Sequence, residues 1–201
     1  MAKIGWGRIL AGVAAVAAGG AAYVYFRQRA ARAPIYQTLL ADGGFEIRRY
    51  PALLAIETIQ HGSRDRALGA GFALLSAYMY GEARDGEEIP MTLPFLAEPL
   101  MAGSGTRDWR IRFLIPEGHS AGSLPPPGAG IAIVEIPAQE MAAVKIAGQP
   151  SDRSFATNTK SLSGWLQSHE RRGAGAGQQA YYNSPLMPGP LRPNEVLIPL
   201  E

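Results

Sequence analysis

Two halves of this chain repeat one another at a separation of about 87 residues, and an internal repeat restricts the architecture more than any local pattern does. The stretch "FEIRRYPA" (45–52) aligns with "IAIVEIPA" (131–138), keeping Ile47 with Ile133 and Pro51 with Pro137. Further on, "RDRALGAGFALLSAYM" aligns with "DRSFATNTKSLSGWL", so that Leu68, Leu75 and Tyr78 correspond to Phe155, Leu162 and Trp165. Both of these runs carry an apolar stripe at helical spacing, and an aspartate near each start (Asp65, Asp152) suits the positive end of a helix. Each helix precedes two extended stretches, "EIPMTLPFLAE" and "DWRIRFLIP" in the first half, "AYYNSPLM" and "NEVLIPL" in the second. The predicted unit is therefore strand, helix, strand, strand, used twice. Each copy has one apolar sheet face and one apolar helix stripe, and pairing about a pseudo-twofold axis buries both. The expected fold is α+β: a distorted, barrel-like antiparallel sheet flanked by two helices. "PEGHSAGSLPPPGAG" (116–130) is a Gly/Pro-rich loop that joins the halves.

Prolines at 90, 94 and 99 interrupt the stretch 88–99. Because proline cannot donate to a sheet ladder, that segment is expected at a sheet edge, framing a groove against the first helix.

Ahead of the repeat, Ile9 to Phe26 carries no charge and is mostly apolar, with Trp6 and Tyr23, Tyr25 and Phe26 as interfacial aromatics and Arg8, Arg27, Arg29 and Arg32 as flanks. A single N-terminal transmembrane helix follows from this pattern, dividing the chain into an anchor and linker (1–33) and a folded domain (34–201). A cleaved signal peptide is the alternative, since Gly20 and Ala22 offer a small-residue cleavage site. Ala11, Ala15 and Gly19 line one helix face and would admit a neighbouring transmembrane subunit. The domain is expected outside the cytoplasm, on the periplasmic side if the cell is bacterial.

The hydrophobic fraction of 47% supplies a core, and a formal net charge of only +2 without a basic stripe excludes nucleic acid as the expected partner. With no cysteine, disulfides, thiolate ligands and a cysteine nucleophile are all excluded. No nucleophile elbow, P-loop, dinucleotide fingerprint or zinc-protease motif occurs, so no enzymatic activity and no catalytic residue is expected. Glu46, Arg48 and Glu195 read as structural ion pairs on the outer sheet face. None of His61, His119 and His169 has metal-site spacing with another, so no metal centre is expected.

The segments "GGFEIRRYPALLAIET", "GFALLSAYMYGE", "EIPMTLPF", "FLIPEGHSAGSLPPP" and "YYNSPLMPGPLRPNEVLIPL" occur in an order that resembles the SOUL family of heme-binding proteins, over about Tyr36 to Leu200. That resemblance implies noncatalytic binding of heme or a related tetrapyrrole, for carriage, buffering or delivery. It places an apolar floor at Leu68, Phe72, Leu75 and Met79, with Met91 and Phe95 near its edge. Where some members carry basic helix residues this chain has Gly69 and Ala77, so Arg64 and Arg66 become the candidate partners of the propionates. His61, in the turn before the first helix, is the best placed candidate for the iron. The rival reading is an accessory or structural subunit of a larger membrane complex, with the fold serving as an interaction module.

Overall fold

The computed structural model describes residues 36–82, 84–100, 108–147, 150–182 and 194–201. Strands β1 (Gln37–Asp42), β2 (Phe45–Tyr50) and β3 (Leu53–His61) precede helix α1 (Arg64–Met79); β4 (Phe95–Leu100) and β5 (Asp108–Leu114) complete the first half. A 3-10 turn (Ala121–Ser123) interrupts the connecting loop. The second half then runs β6 (Ala132–Ile136), β7 (Gln139–Ile146), α2 (Asp152–Ser168), β8 (Gln178–Tyr181) and β9 (Asn194–Pro199). The nine strands of the described residues form one antiparallel sheet in the order β1-β2-β7-β9-β8-β4-β5-β3-β6.

Read outward from the β4·β8 pair, this order is the same in both directions apart from β1, which is the signature of a twofold relation between the halves. The ladders agree: Ile47 faces Ala142 in β2·β7, and the corresponding residues Ile133 and Ile56 face each other in β6·β3. Each half therefore lends its first strand to the other. The repeating unit is strand, strand, helix, strand, strand, one strand more than the sequence pattern indicated. The extra strands, β3 and β7, follow Pro51 and Pro137 so closely that each merges with its predecessor in a linear reading.

The expected barrel does not close. Its two edges are β1 and β6, and neither meets the other: β1 takes the outer side of β2, while the 3-10 turn packs beside β6. The expected anchor and linker (1–33) lie outside the described residues, and among the described residues no helix is long and apolar enough to cross a membrane.

Helix α1 packs on β3 and β5, and α2 on β7 and β9, so both cover one face of the sheet. The main core lies there, with Leu68, Leu75 and Met79 from α1, Phe155, Leu162, Trp165 and Leu166 from α2, and Ile56, Ile111, Phe113, Val196 and Ile198 from the strands. A second apolar cluster occupies the inner face of the curved sheet, drawn from Tyr50, Ala55, Leu96, Leu114, Ile136, Met141 and Leu197. The proline-interrupted stretch does not form an edge. Residues 87–94 belong to no strand, Thr92 alone making a β-bridge, and β4 is an interior strand between β5 and β8. Pro99 is tolerated because the β8 ladder has already ended at Ala97, leaving no partner on that side for its missing N–H.

Candidate ligand cleft

Helix α1 lies flush on the sheet. Gly71 makes this possible: a Cβ there would sit 2.3 Å from Ile111 Cδ1. The sequence-predicted floor is consequently filled with protein. Leu68, Leu75, Met79 and Phe95 are 0–5% exposed, and Met91 is buried beside them, in contact with the Tyr80 hydroxyl through its sulfur. Phe72 is partly buried and meets Phe95 and Phe113 edge-on, with ring centroids 5.4 and 5.2 Å away. These six residues do come together, as a packed aromatic and aliphatic layer.

The polar candidates separate from them. His61 alternates with Glu57 on the sheet face away from the helices, and its Nδ1 lies 2.6 Å from Asp108 Oδ1. Arg66 is exposed on the first turn of α1. Arg64 instead leans toward the second half: it pairs with Asp65 at 2.9 Å, places Nη1 3.1 Å from Asp152 Oδ1, and lies 5.7 Å from the centre of the Phe155 ring. His119 and His169 approach the backbone carbonyls of Pro116 and Trp165.

Beside α2 the sheet is not covered so closely, and a cleft of about 400 Å³ opens, lined by Pro99, Trp109, Asp152, Phe155, Ala156, Thr159, Lys160, Gly177 and Gln179. The repeat explains its position. Where α1 has Gly71 and Phe72, α2 has Asn158 and Thr159: a larger residue at the point of closest approach, then a small side chain where α1 fills the space with a ring. Asn158 is held on its own helix by donating to the Ser154 carbonyl at 2.8 Å. Thr159 was detectable in the sequence as the one break in the correspondence of the two apolar stripes. Trp109 carried no such signal, because alternating burial in β5 marks it only as core.

The walls are mostly apolar and the polar groups are unevenly satisfied. Trp109 is 2% exposed, yet its Nε1 has no hydrogen-bond partner among the described residues. Arg64 Nη1 is likewise buried without one, since its approach to Asp152 lacks hydrogen-bond geometry. Lys160 is exposed and makes no ion pair among the described residues. The Gln179 oxygen accepts from the Tyr181 hydroxyl at 2.6 Å. No grouping of three potential metal ligands occurs among the described residues.

The inner face of the sheet offers less room. A cavity of about 30 Å³ lies among Tyr50, Leu53, Pro94, Leu96, Arg112 and Met141, enough for one or two water molecules. Next to it Arg48, 2% exposed, donates two bonds to Glu195 (2.8 and 2.9 Å) and one to Glu46 (2.7 Å), under the Tyr36 ring. The Tyr182 hydroxyl donates to Glu195 at 2.6 Å. Burial disfavours the Glu195 carboxylate, but its bonds from Arg48 and Tyr182 outweigh that and hold its pKa below the ordinary value. Burial also pushes the Tyr182 hydroxyl far up, reinforced by the Glu195 charge. The ion pairs expected for Glu46, Arg48 and Glu195 are present, on the inner rather than the outer face. Every charge in this cluster is answered from within, so it has nothing to offer a ligand.

A family model described as SOUL heme-binding protein matches residues 31–199. Among solved structures, a hydrolase from Listeria innocua superposes with a TM-score of 0.57 at 10% identity, covering 81% of this chain and 94% of that one. An uncharacterized conserved protein from the same organism gives 0.58 at 11% identity, covering 78% and 92%. The EcmrR C-terminal domain gives 0.56 at 13%, covering 83% and 98%. At these identities the likeness is one of fold, and the hydrolase name belongs to the Listeria protein alone. No curated protein matches the chain.

Proposed function

We infer function from one established premise: the chain belongs to the SOUL heme-binding protein family. On it we propose noncatalytic binding of heme or a related tetrapyrrole, for carriage, buffering or delivery, in the cleft beside α2. The observation that supports this location is the 400 Å³ opening with apolar walls, a volume in the range of about 300–1,000 Å³ at which small-molecule sites occur. Pro99, Trp109, Phe155 and Ala156 offer a surface for the face of a porphyrin, and Lys160 stands ready for a propionate.

A bound heme would bring an iron into the cleft. None of the nine lining residues is His, Met or Tyr, and His61 belongs to the other sheet face. The residues here therefore hold the ring and its acid groups and leave the metal alone, which suits capture and release better than turnover. The same proposal tethers the domain to a membrane through residues 9–26.

Hemin titration of the full chain in mild detergent, followed at the Soret band, tests the reading. Saturable one-to-one binding should be weakened by Ala156→Arg, which fills the cleft from an exposed helix position, and retained in Gly69→Arg, its counterpart on α1. Loss in the α1 variant alone would move the site back to the first helix, and no saturable shift in the wild type would end the proposal.

A further inference from the structure

Strand β1 differs from the rest of the sheet. It is an edge strand whose ladder runs to β2 alone, and all six of its residues are exposed. The other edge strand, β6, is built into the molecule: Ile136 belongs to the inner apolar cluster and Ile133 packs against the main core. β1 also lies outside the repeat, because the side of β6 that would hold its counterpart carries no strand among the described residues. It adds a ladder to the sheet and no side chain to either core.

Of the four large apolar side chains exposed among the described residues, Leu39 (37%) and Leu40 (38%) lie in β1, and Tyr36 directly precedes it. Monomeric proteins blunt such an edge with lysine, proline or a charge in mid-strand. "QTLLAD" has none of these, and its one charge, Asp42, is at the far end, where it accepts from Trp165 Nε1 at 3.0 Å. The shift of register between Thr38 and Leu40 is the opposing feature, since a bulge twists an edge and confines any joint to the few residues around it.

We propose that this edge pairs with a second copy of the chain, β1 against β1, antiparallel about a twofold axis near Leu39, so that two sheets become one. Like charges do not meet in that joint: antiparallel pairing sets the two Asp42 side chains at opposite ends and leaves the uncharged run 37–41 to face itself. A twofold joint uses each β1 once and closes at two copies. Two six-residue strands make a small interface, so the copies must be held near one another. The tether proposed above does this, because β1 follows the apolar segment 9–26 after a short link, and anchoring both copies in one membrane raises their local concentration. The joint is independent of what the cleft binds.

The chain has no cysteine, so single-cysteine variants of the full chain report the joint directly. Residues opposed across antiparallel strands have Cα atoms about 4.5–5.5 Å apart, within reach of a disulfide. Under mild oxidation, concentrated in mild detergent and again in phosphatidylcholine vesicles, Leu39→Cys or Leu40→Cys should give several-fold more covalent dimer than Glu135→Cys, an exposed position on β6. Adding Leu40→Lys to Leu39→Cys places two like charges in the joint and should remove most of that dimer while the thermal transition of the domain is kept. Yields no higher than that of Glu135→Cys, or a cross-link undiminished by Leu40→Lys, overturn the proposal. A dimer seen by light scattering that neither β1 cysteine captures also overturns it and assigns the contact to another surface. In expressing cells, a cross-linked product of a mass other than twice the chain would make the occupant a foreign strand and overturn self-pairing.

Discussion

A methyl group at Gly71 would collide with Ile111, a residue with no exposed surface, and that single contact sets how closely α1 approaches the sheet. Gly71→Ala is expected to cost about 1–3 kcal/mol by overpacking, measured by denaturant unfolding, with Ile111→Val recovering part of the loss in the double variant. A second residue-scale prediction concerns Arg48 and Glu195. Glu195 has a depressed pKa when folded, so its contribution to stability is complete above the unfolded value of about 4.3 and is lost as pH falls through the folded one. Arg48→Met leaves that buried carboxylate without its guanidinium, with the Tyr182 hydroxyl still donating to it, and should cost about 3–5 kcal/mol at pH 7. The gap between wild type and variant should narrow in acid, as Glu195 protonates in both; a gap constant from pH 7 to pH 3 would show that the charge is not the cause. The partners of Arg48 were legible in the sequence, but the face was not: in β2 the helix side is taken by Phe45 and Ile47, which forces Arg48 inward.

The two helices begin differently, and the difference is measurable. Ser151 caps α2 with a reciprocal pair: its Oγ accepts from the Ser154 N–H at 3.1 Å, and Ser154 Oγ accepts from the Ser151 N–H at 2.8 Å. Ser63 stands at the same position before α1 and makes no side-chain capping bond. Ser151→Ala should cost about 1 kcal/mol and Ser63→Ala only a fraction of that, by thermal or denaturant melting. The first turn of α2 also carries Asp152, Phe155 and Ala156 into the cleft, so the cap positions the site as well as the helix. The helices themselves were readable from their apolar stripes and acidic starts. The strands were readable in number only in part. A run such as "FEIRRYPALLAIETIQH" keeps its alternation through Pro51, and period two does not announce that the chain has turned back into a second strand. The interior place of β4 was hidden for another reason. A proline argues against an interior strand only if the neighbour its N–H would face needs a donor at that residue, and how far β8 extends is a property of pairing, not of the segment.

At the scale of the whole molecule the twofold relation was legible, and the exchange of first strands was not, because the alignment of Ile47 with Ile133 says that two strands are equivalent without saying which sheet half each one joins. That exchange has a consequence for how the chain can be divided. Residues up to Gly118 contain β2 without its partner β7 and β3 without its neighbour β6; residues from His119 onward contain the converse. Neither piece can bury its helix stripe and satisfy its central ladders alone, as an isolated half leaves edges at β2 and β3 or at β6 and β7. Together they lose nothing but one peptide bond, in a loop where Glu117, Gly118, His119 and Ser120 are all exposed. The 3-10 turn stays with β6, and the Tyr78 hydroxyl can still donate to the Pro125 carbonyl across the cut. Expressed separately, the two pieces should show little stable structure by circular dichroism and hydrogen exchange. Expressed together, they should co-purify one to one and regain the thermal transition of the intact chain, lowered by the entropy of joining two chains and dependent on their concentration. The cleft should return with them, because Pro99 and Trp109 come from the first piece and Phe155, Ala156 and Lys160 from the second. If either piece folds alone, or if the pair reassembles without recovering ligand binding, the exchanged strands are not what unites the halves.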